Sequence, residues 1–64
     1  MTEKEMQIYI NLSVLKIFEF DMEKAAQWFS TPNLNLGGFR PIRLIESGKI
    51  EKVYEFVRDS EGME

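Results

Sequence analysis

The sequence predicts a small all-α domain of four helices, and three observations carry that prediction. Residues suited to opening a helix stand at Thr2, Asp21 and Pro41, apolar residues recur behind them at three- and four-residue spacing, and proline or glycine punctuates the stretches between. The chain has 64 residues, 44% of them apolar and 30% charged, with a formal net charge of -3, which fits one domain spanning residues 1–64. A domain this short buries only about 60% of the surface its unfolded chain exposes, so a staple or a partner is expected.

Cysteine and histidine are absent. That removes disulfides, thiol nucleophiles and every histidine-activated relay, so the missing staple is expected to be another protein chain and no cofactor or metal is expected. No run approaches the ~20 apolar residues of a membrane span, and the start Met1-Thr2-Glu3-Lys4-Glu5 lacks the basic segment of a signal peptide. A cytoplasmic protein that meets no membrane is expected. With eight basic residues in an acidic chain, little charge is available to neutralise phosphates, so nucleic-acid binding is not expected.

The first helix begins near Glu3, where Thr2 and Glu5 have the spacing of a capping box. Steps of 100° put Met6, Ile10, Val14, Ile17 and Phe18 on one side and Ile8, Leu12 and Leu15 on another. The second stripe is a candidate dimer contact. A strand is the competing reading, because Ile8-Tyr9-Ile10-Asn11-Leu12 also alternates with period two. Asp21 caps a second helix, with Phe20 placed to staple against Ala25, and Pro32 ends it near Ser30 or Thr31. The connector Pro32-Asn33-Leu34-Asn35-Leu36-Gly37-Gly38 follows, supplying turn hydrogen bonds and positive φ. Pro41 opens a third helix buried through Ile42, Leu44 and Ile45, and Gly48 ends it. A fourth, from about Lys49, shows Ile50, Val53, Tyr54 and Val57 on one face, with Gly62 as its C-cap. The expected core is Phe18, Trp28, Leu36, Leu44, Val53 and Val57.

Chemistry finds little purchase in these residues. The carboxylates at 19–23 and 59–61 fall at helix ends, where acids serve as caps or solvated charges, and no serine or threonine has a base to activate it. Gly37-Gly38-Phe39-Arg40-Pro41, with Arg43, leads into a helix start that suits an anion but lacks the spacing of a phosphate loop. An enzyme is not expected.

Two stretches, Ala25-Ala26-Gln27-Trp28-Phe29-Ser30-Thr31-Pro32-Asn33 and Leu36-Gly37-Gly38-Phe39-Arg40-Pro41-Ile42-Arg43-Leu44-Ile45-Glu46-Ser47-Gly48, resemble the toxin-binding domain of the Xre/MbcA/ParS antitoxins. The pattern is carried by Trp28, Pro32, Asn33, Leu36, Gly37, Gly38, Pro41, Leu44 and Gly48, and runs on through Val53. It covers residues 14 to 62, most of the chain. The resemblance implies an all-helical module that binds a RES-type toxin, an enzyme that consumes NAD, and holds it inactive. It also implies that the C-terminal part of the module approaches the toxin's cleft, which makes Arg58, Asp59, Glu61 and Glu64 candidate toxin contacts. The alternative is a homodimeric structural protein without a toxin. Two departures stand out: Arg40 replaces the usual threonine cap of the helix opened by Pro41, and only a dozen residues precede the match, where the family usually has a DNA-binding domain. DNA binding is not expected of this chain alone.

Overall fold

In the computed structural model, which describes residues 1–61, Thr2 and Glu5 close the expected capping box. The Thr2 hydroxyl accepts from the Glu5 backbone N–H at 3.1 Å and the Glu5 carboxylate accepts from the Thr2 N–H at 2.9 Å. These bonds satisfy two otherwise orphan donors, and the one from the Thr2 backbone, followed by that with its side chain, holds the Glu5 carboxyl below its ordinary value. Helix α1 runs Glu3–Ile17, followed by α2 (Met22–Ser30), a 3₁₀ turn (Leu34–Leu36), α3 (Pro41–Glu46) and α4 (Ile50–Glu61). The described chain is all-α, with four α-helices and no strand beyond an isolated bridge between Asn33 and Phe39.

The helix, not the strand, is what residues 8–12 adopt. A strand would put Ile8, Ile10 and Leu12 on one face, whereas here Ile10 is fully enclosed while Ile8 and Leu12 are 50% and 48% exposed. Met6, Ile10 and Val14, four residues apart, form one buried stripe against Ile50, Val53 and Val57 of α4, and the α1–α4 interface is the most extensive in the molecule. Leu36, Leu44 and Ala25 complete the core. Each helix thereby buries one face.

Several expectations need correction. Trp28 and Phe18, assigned to the core, are half-buried and pack against it from outside. Aromatic rings this large seldom find full enclosure in so small a domain. Leu15, read as part of the free stripe, is half-buried against the core, because it stands next to the buried Val14 and one helical turn before the half-buried Phe18, at the edge of the covered face. Ile17 and Ile42, read as buried, are exposed at the last turn of α1 and the first turn of α3, where the described chain supplies no covering layer. The staple between Phe20 and Ala25 does not form, because Phe20 sits at φ 64 and its ring is exposed.

That last difference has a backbone cause. After α1 the Phe20 N–H donates to the Leu15 carbonyl at 2.6 Å and the Glu19 N–H to the Lys16 carbonyl at 3.1 Å, the paired bonds of a Schellman turn. Glu19 and Phe20 are thereby held at φ 54 and 64, in the left-handed region usually left to glycine. Asp21 then caps α2 by accepting from the Lys24 N–H at 3.1 Å. Thr31 ends that helix in extended geometry, φ -100 and ψ 131, as a residue before proline should. Gly48, at φ 82, closes α3 with the same Schellman pair, Lys49 N–H to Leu44 carbonyl at 2.8 Å and Gly48 N–H to Ile45 carbonyl at 3.2 Å. The C-cap expected at Gly62 lies outside the described residues.

Candidate functional site

The connector between α2 and α3 is a closed backbone structure. Asn33 organises it: its N–H donates to the Phe39 carbonyl at 3.0 Å, and its own carbonyl accepts from Leu36 and Gly38, each at 2.9 Å. Its side-chain oxygen accepts from the Asn35 N–H at 2.9 Å, the Asx turn that a short amide side chain favours. Gly37 and Gly38, at φ 72 and 82, let the chain reverse within this frame. Leu36 points inward and is buried. Pro32 stays exposed before the turn, while Pro41 just after it is among the most enclosed side chains.

Arg40 precedes Pro41 and contributes no side-chain cap to α3. Its carbonyl instead accepts from Arg43 and Leu44 at 2.9 and 3.3 Å, so the first turn closes through the backbone alone. Arg43 lies 4.0 Å from Glu46 in an exposed pair that contributes little to stability.

With its backbone satisfied internally, the connector turns apolar side chains outward. Leu34 is 92% exposed and Phe39 59%. Phe39 borders an open groove of about 590 Å³, with Asn35, Leu36 and Gly37 on the connector wall and Lys49, Lys52, Phe56 and Asp59 on the α4 wall. Behind that wall Trp28 stacks on Phe56, centroids 6.5 Å apart and planes 12° from parallel, and meets Phe29 edge-on at 5.1 Å. Trp28 thus joins α2 to α4 as an aromatic strut.

The sequence-predicted residues fall in three places. Pro32, Asn33, Leu36, Gly37, Gly38, Pro41, Leu44 and Gly48 all belong to the connector and α3, whose geometry they set. Asp59 stands on the groove, while Arg58 is turned onto the Tyr54 ring, 5.7 Å from its centroid, with Asp59 3.4 Å away. Glu61 faces α1: it accepts a hydrogen bond from the Tyr9 hydroxyl, and this bond, then one from Ser13, lowers its pKa, with Lys16 adding a smaller effect. Glu64 lies outside the described residues. Ile8 and Leu12 sit on the outer face of α1, away from the core.

Sequence reasoning missed Leu34, Phe39, Phe56 and Tyr9 as site-forming residues. Leu34 and Leu36 stand two apart in Leu-Asn-Leu, and a tight turn admits only one of them to the core. Phe56 falls off the apolar spacing of α4, and the partners Tyr9 and Glu61 are 52 residues apart.

Among the described residues no group of histidine, cysteine or carboxylate side chains is placed to hold a metal, and no helix is long and apolar enough to cross a membrane. These features define a small all-α domain with a rigid, apolar-tipped connector beside its last helix. The antitoxin Xre/MbcA/ParS C-terminal toxin-binding domain matches residues 16–59, and the chain belongs to that family. The match takes in α2, the connector, α3 and nearly all of α4, and leaves out α1 as far as Leu15. No curated protein and no solved structure matches the chain.

Proposed function

We propose that this chain is an antitoxin that binds a RES-type toxin, an enzyme that consumes NAD, and holds it inactive in the cytoplasm, where the NAD pool lies. The observation that carries the reading is the family match over residues 16–59, a toxin-binding domain, together with an acidic end on α4 that faces outward at Asp59. A cleft built for the pyrophosphate of NAD presents basic groups, and carboxylates at Asp59, Glu61 and Glu64 would complement them, Glu61 by leaving the Tyr9 hydroxyl, with Arg58 leaving the Tyr54 ring to reach an acidic rim. Inhibition then comes from occupying the cleft and needs no catalytic group on this chain.

The test is whether an adjacent reading frame encodes a RES-type protein and, with that protein purified, whether the chain stops its NAD consumption. Full inhibition by the intact chain and renewed NAD consumption on deleting residues 59–64, with the helical circular-dichroism signal kept, support the reading. Asp59→Lys should weaken inhibition more at low salt than at high salt. Inhibition by the truncated chain equal to that by the intact one moves the contact off the α4 end.

Exposed Ile8 and Leu12 favour a second property, self-association through the stripe of Ile8, Leu12 and the half-buried Leu15. Burying such side chains contributes about 1.5–3 kcal/mol each for full enclosure, against the cost of association. Light scattering should give twice the monomer mass, and Leu12→Glu should halve it. A dimer that meets no toxin is the outcome that would make the chain a structural protein instead.

A further inference from the structure

The structure places two separate apolar patches on the surface, and they differ in how they relate to the family match. Ile8 and Leu12 lie on α1 ahead of residue 16, outside the matched stretch. Leu34 and Phe39 lie inside it, on the connector. We propose that the connector, through Leu34 and Phe39 with a basic rim of Arg43, Lys49 and Lys52, is the affinity-determining contact for the toxin, and that it seats on an apolar depression bordered by carboxylates. This rests on the toxin-binding reading above and adds to it the place and chemistry of the docking surface.

Three features support the assignment. The connector is held by four backbone hydrogen bonds around Asn33 and Phe39 and by the Asn33 side chain, so its exposed side chains sit on a frame that loses little freedom on binding. Large apolar side chains on such a frame, ringed by charge, have the composition of an interface centre. The charge around them also runs against the rest of the molecule: four of the eight basic residues, Arg40, Arg43, Lys49 and Lys52, fall in positions 40–52 of a chain whose net charge is -3. Lys49 and Lys52 line the groove that Phe39 borders together with Glu55 and Asp59, and Arg43 and Lys49 line a second depression against the same ring together with Glu46. The apolar tip with its cations is complementary to an apolar pocket bordered by acids, and the carboxylates of the same groove to basic groups beside that pocket.

The groove also ties this surface to the inhibitory end. Phe39 and Asp59 stand on its opposite walls, so a partner engaging the α4 end meets the connector as well. The two contacts then divide the work, the connector setting affinity and the acidic end blocking the cleft.

The experiment measures binding to a purified RES-type protein by calorimetry, alongside inhibition of its NAD consumption. Leu34→Ser and Phe39→Ser should each weaken binding by about 10-fold or more, while inhibition at saturating concentration stays complete. Lys49→Glu with Lys52→Glu should slow association at low salt and have less effect at high salt. Ile8→Ser with Leu12→Ser should leave toxin binding within about 2-fold of wild type. Unchanged folding of the connector variants is checked by circular dichroism, which Leu34 should pass because it is almost wholly solvated. Wild-type inhibition with connector variants that bind equally well overturns this inference and leaves the toxin-binding reading standing. Connector variants that lose self-association but keep toxin affinity assign the patch to a second copy of the chain and overturn it too. A wild-type chain that fails to bind the toxin overturns both.

Discussion

The seam between α1 and α4 and the connector between α2 and α3 use similar residues to opposite ends. Along the seam, Ile10, Val14, Val53 and Val57 are removed from water almost completely, and the helices there are held together by side chains. Along the connector the backbone bonds to itself, and only Leu36 is spent on the core, while Leu34 and Phe39 remain in solvent. The difference shows where each free energy is used. Apolar burial in the seam stabilises the monomer, and apolar area left on the connector is released only when a second surface covers it. A domain of 64 residues has little stability to spare, and the proposed docking role gives a use to the apolar area that Leu34 and Phe39 leave outside the core.

The sharpest way to break that contrast is to truncate one side chain in each region. Ile10→Ala removes a fully enclosed side chain and should cost about 2–5 kcal/mol, comparable to the whole stability of so small a domain. It should leave no cooperative thermal transition, or one lowered by many degrees. Leu34→Ser should move the midpoint of urea unfolding hardly at all, since its side chain touches little. Similar losses in the two variants would mean that the connector carries the fold as much as the seam does. Trp28 falls between them: half-buried against Phe56, it should cost less as Trp28→Ala than the about 3–5 kcal/mol of a fully enclosed aromatic.

A second comparison within the fold predicts a change of sign. The ends of α1 and α3 make the same pair of Schellman hydrogen bonds, but α1 places Glu19 at the left-handed position and α3 places Gly48 there. Glu19→Gly should therefore stabilise the domain by about 1 kcal/mol, and Gly48→Ala, with open space around the new methyl group, should destabilise it by a similar amount through backbone strain alone. Differential scanning calorimetry of the two variants checks both signs at once. A destabilised Glu19→Gly would show that the carboxylate makes a contribution the backbone geometry does not reveal.

This pair also explains what could be read from the sequence. Glycine, proline and capping residues announce themselves, so the capping box at Thr2, the cap at Asp21, the stop at Pro32, the start at Pro41 and the end at Gly48 were all legible. So were the two stripes of the seam, because Met6, Ile10 and Val14 repeat at the helical period, as do Ile50, Val53 and Val57, but not that they meet: the expected core left out Met6, Ile10, Val14 and Ile50. The α1 terminus was not legible, since its left-handed residues are a glutamate and a phenylalanine, and the expected staple at Phe20 failed for that reason. Exposure was the other blind spot. Whether Ile17, Leu34 or Ile42 is covered depends on what reaches it from elsewhere in the chain, and a local pattern contains no record of that. The docking surface rests on residues of this kind.

The smallest expected effect concerns the link between α1 and the acidic end of α4, where Tyr9 donates to Glu61. The hydrogen bond from Tyr9, ahead of one from Ser13, lowers the Glu61 pKa from its ordinary 4.5, so its contribution is present above that value and is lost as pH falls through the lowered one. The same bond is the largest cause raising Tyr9 above 10.0, so its contribution is present below that value and is lost as pH rises through the raised one. The contact is therefore intact between those two limits, and solvent keeps its effect modest. Tyr9→Phe keeps the ring that meets Tyr54 at 5.2 Å and removes only the hydroxyl. Its melting temperature should fall slightly below wild type at pH 7, and the gap should narrow as the pH is lowered and Glu61 takes up its proton. A gap that does not change as the pH falls through the acid range would assign the effect to packing of the ring. Because Tyr9 lies ahead of residue 16 and Glu61 just past residue 59, the bond joins two turns outside the matched stretch. If Tyr9→Phe also alters inhibition of a RES-type toxin at neutral pH without altering its affinity, the first helix of this chain sets the position of the end proposed to block the cleft.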